Sequence, residues 1–200
     1  MVIRTRDRLI EVARQLFLIK GIENTTMLDI ANASDYGRRT IYTYFKNKDE
    51  IYSAVVQQET ESYVKSLREV ANSDLSPVEK LDKFLHSLFS VLQSRTAPTL
   101  VSSLIYWVKL DFQHAQKIRA AIAFQEVEFL CQILNEGVER GVFRKDQSER
   151  MSRMLPSIIL SLERYASSGH NIEEFFSDDF INFTMTSLTL ETTENKQKQL

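Results

Sequence analysis

The sequence predicts an all-α protein, and three observations carry that prediction. Only five Gly and three Pro punctuate 200 residues, whereas strand-rich folds need many more turns. Apolar residues recur at three- and four-residue spacing, the period of an amphipathic helix. Helix-start signatures open several of these stretches: Thr26-Met27-Leu28-Asp29, Asn47-Lys48-Asp49-Glu50 and Ser76-Pro77-Val78-Glu79.

The first helix is expected from about Thr5 to Lys20, with Leu9, Ile10, Ala13, Leu16 and Phe17 as its buried stripe. Gly21 can take the left-handed conformation that stops it. Thr26 and Asp29 then read as a capping box, each side chain satisfying a backbone N–H of the other. The short helix they open points Met27, Ile30 and Ala31 inward. Ser34-Asp35-Tyr36 make a tight turn. Gly37 opens a third short helix, with Ile41, Tyr44 and Phe45 on its inner face. Asn47 caps a long fourth helix that runs to about Ala71, and Asn72 to Leu75 break it. Pro77, just inside the next helix, precedes the stripe Val78, Leu81, Leu85, Leu88 and Leu92. Beyond a turn at Ala97-Pro98, helices are expected near 100–110, 114–140, 146–168 and 171–191, with stops at Gly141 and Gly169. The polar residues 192–200 form a tail. Roughly nine helices and no strand result.

Other classes are disfavoured by composition. A single cysteine, Cys131, leaves no partner for an internal disulfide and reads as a buried small hydrophobe. No apolar run approaches the ~18 residues of a membrane span. Met1 to Arg6 lack the apolar core of a secretion signal, so a cytoplasmic protein is expected. His86, His114 and His170 are scattered without metal-ligand spacing, and no Gly-rich phosphate loop occurs. The acidic pairs Glu173-Glu174 and Asp178-Asp179 read as a helix's first turn. No catalytic residue, metal or cofactor is therefore expected, and the reading is of a protein that is not an enzyme.

The net charge of −2 hides an asymmetry. Residues 1–50 hold nine Lys or Arg against seven Asp or Glu, while the remainder is acidic. Arg38, Arg39, Lys46 and Lys48 lie between Tyr36 and Lys48 with no acid among them. A local basic surface on an acidic protein suits contact with a polyanion. Two short helices joined by a three-residue turn, after a longer helix, make a helix-turn-helix. At 100° per residue Arg39, Tyr42 and Thr43 lie opposite Ile41, with Arg38 at the edge. That outer set offers hydrogen-bonding groups for bases and phosphates and carries no negative charge.

The run Thr26-Met27-Leu28-Asp29-Ile30-Ala31, followed by Thr40-Ile41-Tyr42-Thr43-Tyr44-Phe45-Lys46-Asn47-Lys48-Asp49-Glu50, resembles the DNA-binding signature of the TetR family of bacterial regulators. The spacing of the two blocks matches that pattern without insertion or deletion, over about the first 55 residues. Three positions depart from it. Asp35 stands where Gly or Asn is usual, Tyr36 where a small apolar residue is usual, and Gly37 where Ser or Thr usually caps the helix. The resemblance implies that Thr26, Tyr42 and Lys48 hold phosphates. It implies that Arg38, Arg39 and Thr43 face base edges, with Thr40 close enough for backbone contact. Arg4 and Arg6 would reach along the backbone or into a minor groove.

The resemblance also implies a three-helix DNA-binding domain over 1–47, a helical ligand-binding and dimerisation domain over 48–191, and a tail over 192–200. The expected partners are double-stranded DNA, a small-molecule inducer and a second copy of the chain, with no membrane. Gly137 to Arg144 are similar to the family's connection before its last two helices. In the penultimate helix Met151, Met154, Leu155, Ile158, Ile159, Leu162 and Tyr165 cover one side. Phe180, Ile181, Phe183, Thr184 and Leu188 line the last. Doubled by symmetry, these helices could form a four-helix interface. The middle helices are rich in aromatics and suit an apolar or amphipathic ligand. Phe84, Leu88, Tyr106, Trp107, Phe124, Met154 and Ile158 are the candidate lining. Lys109, Glu126, Glu128 and Arg164 are possible polar anchors, though a surface place is the simpler expectation for each. The expected function is a repressor released from an inverted-repeat operator by its inducer. A non-catalytic helical interaction protein would share the dimer helices but lack operator-specific DNA binding.

Overall fold

The computed structural model describes residues 5–93, 112–167 and 178–190. Eight helices lie among them: α1 (Thr5–Lys20), α2 (Met27–Ala33), α3 (Arg38–Tyr44), α4 (Lys48–Ala71), α5 (Pro77–Gln93), α6 (Phe112–Glu139), α7 (Lys145–Ser167) and α8 (Asp178–Leu188). The helix expected near 100–110 lies outside the described residues. Among the described residues the only strand-like pairing is an isolated antiparallel bridge between Phe143 and Thr189.

The caps form as the sequence dictates. The Thr26 hydroxyl accepts from the Asp29 N–H at 3.1 Å, and Asp29 accepts the Thr26 N–H at 2.9 Å. Ser76 and Glu79 repeat that exchange before α5. Asn47 accepts from the Glu50 N–H at 2.9 Å, while Glu50 reaches past it to the Lys46 N–H at 2.7 Å. Gly37 caps α3 without a side-chain hydrogen bond. Gly21 and Gly141 both take the positive φ expected of helix stops. Helix α7 starts at Lys145, with Asp146 in its first turn.

Two apolar clusters organise the chain. The first joins Leu9, Ile10, Ala13 and Phe17 of α1 with Ile30, Ala31, Ile41 and Phe45, and with Ile51 to Val56 of α4. The second joins Val64, Leu67 and Ala71 of α4 with α5, α6, α7 and α8. Helix α4 therefore serves both. Between Val56 and Val64 it buries no apolar side chain, and this waist carries Glu59 and Tyr63 instead.

The connection from α6 to α7 is held twice. The Phe143 ring lies directly on Gly137, where a Cβ would run into it. The Gly137 carbonyl accepts the N–H groups of Val142 and Phe143 at 2.9 and 3.1 Å. On the other side Arg144 N–H donates to Leu188 (2.8 Å), and Leu190 N–H to Val142 (2.9 Å). This clip ties the end of α8 to the start of α7.

Candidate nucleic-acid interface

Helix α3 is seated by little. Ile41 is its buried residue, and Phe45, the extended residue after it, turns its ring into the first cluster. Everything else on α3 is available. Arg38, Arg39, Tyr42 and Thr43 are exposed and Thr40 is half-buried. The Thr43 hydroxyl donates back to the Arg39 carbonyl at 3.0 Å, which leaves its oxygen able to accept. The sequence expectation for Tyr44 needs correction. Helical spacing turns it inward with Phe45, but the residue is 43 % exposed. Because α3 ends at Tyr44, the extended backbone of Phe45 (φ −141°) completes the apolar contact and leaves Tyr44 on the outer side. Tyr44 and the exposed Lys46 thus join the same face.

The turn that aims α3 has an unusual centre. Asp35 adopts φ +60°, a left-handed conformation that Asp tolerates better than most residues. The Tyr36 N–H reaches back to the Ala31 carbonyl at 3.2 Å, and its ring packs half-buried on the first cluster. Arg8 supports the turn from α1, donating to the Ser34 carbonyl at 3.4 Å and lying 3.6 Å from the Asp35 carboxylate. Its neighbour Arg6, one of the arms expected to reach DNA, stacks over the Phe45 ring at 5.3 Å. Arg4 lies outside the described residues.

Thr26 and Lys48 are both engaged within the protein. The Thr26 hydroxyl donates to Asp29 at 2.7 Å, and this bond above all holds the Asp29 carboxyl down at about 2. Lys48 is half-buried, and its ammonium donates to the carbonyls of Ile22 (2.7 Å) and Glu23 (3.4 Å).

The described candidate ligand residues differ widely in burial. Phe84 and Leu88 sit in the second cluster, Ile158 is half-buried, and Phe124 and Met154 are 72 % and 59 % exposed. Tyr106 and Trp107 lie outside the described residues, as does Lys109, and nothing is described for the Arg164 side chain. Glu128 is exposed as expected. Glu126 is not: only 8 % exposed, it accepts from the Tyr63 hydroxyl at 2.9 Å and from Arg119 at 3.1 Å. The signal was in the spacing, since Arg119, Ile122, Glu126, Leu130 and Ile133 fall on one helix stripe. This buried group fastens the α4 waist to α6.

A second polar contact fastens the waist to α1. Arg14 forms a paired hydrogen bond with Glu11 at 2.7 and 2.9 Å, and lies 3.9 Å from Glu59. Hydrogen bonding to Arg14 lowers the Glu11 carboxyl, whereas burial pushes Glu59 up to about 7. Among the described residues no three His, Cys, Asp or Glu gather as a metal site, and no helix is long and apolar enough to cross a membrane. Cys131 is half-buried beside Leu134 and Val138 rather than fully enclosed.

Residues 9–55 match the model of the bacterial regulatory proteins of the tetR family. Over 164 residues the chain is 28 % identical to the "Probable HTH-type transcriptional regulator YttP" of Bacillus subtilis, spanning 82 % of this chain and 75 % of that protein. It is 23 % identical over 149 residues to the HTH-type transcriptional repressor KstR2 of Mycobacterium tuberculosis, 70 % of each chain. The KstR2 structure, of a ketosteroid transcriptional regulator, superposes with a TM-score of 0.55 at 19 % identity, covering 96 % of this chain and 98 % of that one. A transcriptional regulator from Cytophaga hutchinsonii superposes with a TM-score of 0.70 at 19 % identity, covering 91 % and 97 %.

Proposed function

Because the chain belongs to the TetR family and is a DNA-binding transcriptional regulator, we propose that it is a cytoplasmic, homodimeric repressor released from its operator by an apolar or amphipathic small molecule. The observation that carries the DNA reading is the outer face of α3. There Arg38, Arg39, Tyr42, Thr43 and Tyr44 are exposed together without an acid. Arg38, Arg39 and Thr43 face base edges, Tyr42 and Tyr44 reach phosphates, and Thr40 and Thr26 flank them. Two such helices in a symmetric dimer enter successive major grooves. The operator is then an inverted repeat with half-sites about 34–36 Å apart, or a small multiple of that. Partnering of α7 and α8 with a second copy accounts for the apolar side chains they expose. The ligand reading draws on the family and on KstR2, a ketosteroid regulator.

The test is a titration of wild type, Arg39→Ala and Tyr42→Phe against operator and random duplex at two salt concentrations. Arg39→Ala should lose about 1–3 kcal/mol on the operator and far less on random DNA. Tyr42→Phe should lose roughly 0.5–1.5 kcal/mol on both, the net worth of one ordinary solvent-exposed hydrogen bond. Equal losses on both duplexes for Arg39→Ala remove its base-reading role. A folded protein that binds no duplex at low salt points instead to the helical interaction protein.

A further inference from the structure

Away from the DNA face, α6 and the first turns of α7 enclose a cavity of about 100 Å³. An apolar cavity of about 150 Å³ admits benzene, so this one has room for a short carbon skeleton. On the α6 side Leu134 supplies an apolar wall, and Cys131, half-buried, lines the cavity beside it. On the α7 side Ser148 and Ser152 line it one turn apart. Lys145 and Glu149, both exposed, bring one charge of each sign. The two charges leave no net field to draw in an ion, so the cavity suits a neutral occupant.

Ser148 is the informative residue. It is only 4 % exposed, yet its hydroxyl has no hydrogen-bond partner among the described residues. Ser152, one turn on, donates its hydroxyl back to the Glu149 carbonyl at 3.0 Å. A buried hydroxyl without a partner is costly, and native structures rarely leave one. An acceptor atom entering the cavity satisfies it. Cys131 adds a nucleophile to the same space. The complementary molecule is neutral and short, with one acceptor oxygen and one electrophilic carbon. A peroxide has no skeleton to fill the cavity, and a simple alkylating agent has no acceptor for Ser148.

We propose that the α6–α7 cavity is a covalent site for small α,β-unsaturated carbonyl compounds, with Cys131 as the nucleophile and Ser148 as the donor to the carbonyl oxygen. The thiol gives its proton to water, and the thiolate sulfur forms a bond to the β-carbon. The C=C electron pair shifts toward the carbonyl oxygen and makes an enolate. A proton then returns from water to the α-carbon, so nothing leaves and no oxidant is consumed. Negative charge develops on the oxygen that the Ser148 hydroxyl holds, and that hydrogen bond strengthens as the sulfur attacks. The adduct fills the cavity and leaves the hydroxyl with an acceptor.

The test treats the full chain with methyl vinyl ketone and, separately, with iodoacetamide, which alkylates a thiol by expelling iodide and puts no charge on its carbonyl oxygen. Rates are read by intact mass for wild type, Ser148→Ala and Cys131→Ser, and melting temperatures are taken before and after modification. Wild type should take up a single ketone, and Cys131→Ser none. Ser148→Ala should slow the ketone roughly ten-fold or more, the worth of a hydrogen bond to a charged oxygen, and leave the iodoacetamide rate unchanged. The wild-type adduct should melt higher than the unmodified protein. Unmodified Ser148→Ala should be at least as stable as wild type, because the hydroxyl it loses has no partner. Equal slowing of both reagents reduces Ser148 to a matter of thiol access and overturns the proposal. So does an adduct that melts lower than the unmodified protein, or a Ser148→Ala variant that loses stability, which shows that the hydroxyl is already bonded within the fold. Uptake of the ketone by Cys131→Ser at the wild-type rate places the reaction elsewhere and overturns it as well.

Discussion

Glu59 is a carboxylate placed where water is scarce but a counter-charge is already committed. Arg14 lies 3.9 Å away, yet both of its short bonds go to Glu11. Burial therefore outweighs attraction, and the carboxyl titrates at about 7. The sign follows from linkage. Between the unfolded carboxyl range and pH 7 the folded chain holds the extra proton, so stability falls as pH rises across that window. Glu59→Gln should remove this dependence. The variant should melt higher than wild type at pH 8, by the equivalent of about 1–3 kcal/mol, and converge with it near pH 5. A wild-type melting curve that gains on the variant as pH rises would refute the argument. Nothing in the sequence marks Glu59, because its burial depends on how α1 crosses α4. Asp35 was more legible: a short polar residue in a three-residue turn suits a left-handed backbone, and it has one.

At the scale of elements, caps and stops were the readable part. Thr26–Asp29 and Ser76–Glu79 are local exchanges between residues three apart, so sequence spacing alone specifies them. Side-chain direction was less readable where an element is short. In seven-residue α3, one turn of helix decides whether Tyr44 or Phe45 closes the core, and an angle wheel cannot see the extended residue that settles it. Gly137 is a third case. Inside a long helix a glycine is unfavourable by itself, and only the fold supplies the reason, the Phe143 ring on its surface. Gly137→Ala should therefore destabilise the protein by about 1–3 kcal/mol through overpacking, against the gain expected of alanine in a helix. Chemical denaturation checks this, and a variant as stable as wild type would mean that the ring can move aside.

For the whole molecule, the apolar stripes of α7 and α8 divide between two duties that sequence could not separate. Leu155, Ile159, Ile181, Thr184 and Leu188 are buried within the protomer, while Met154, Tyr165 and Phe183 remain exposed. Both sets repeat at helical spacing, and only packing against α5 and α6 distinguishes them. Leu188 is thus a poor probe of association, since a charge there would break the protomer core. Phe183, 71 % exposed, is a clean one. Phe183→Glu should weaken the proposed dimer by about 2 kcal/mol or more, the loss expected at a buried aromatic anchor, with little change in helical content. Sedimentation equilibrium measures it, and a variant that associates like wild type would move the interface elsewhere.

The backbone clip between 142–144 and 188–190 has a consequence for how the chain can be cut and joined. It closes the span from Arg144 to Leu188 into a ring, so that the start of α7 and the end of α8 are fastened by main-chain bonds that survive side-chain substitution short of proline at 144 or 190. The entropy of closing such a ring grows only slowly with its length, and the two bonds act as a latch for everything between them. A stop codon placed after Leu190 leaves the latch whole. One placed before Leu188 removes the Leu188 carbonyl and the Leu190 N–H, and with them both bonds that hold the start of α7. Truncations and fusions at this end therefore keep the latch only if they leave Leu190 in place.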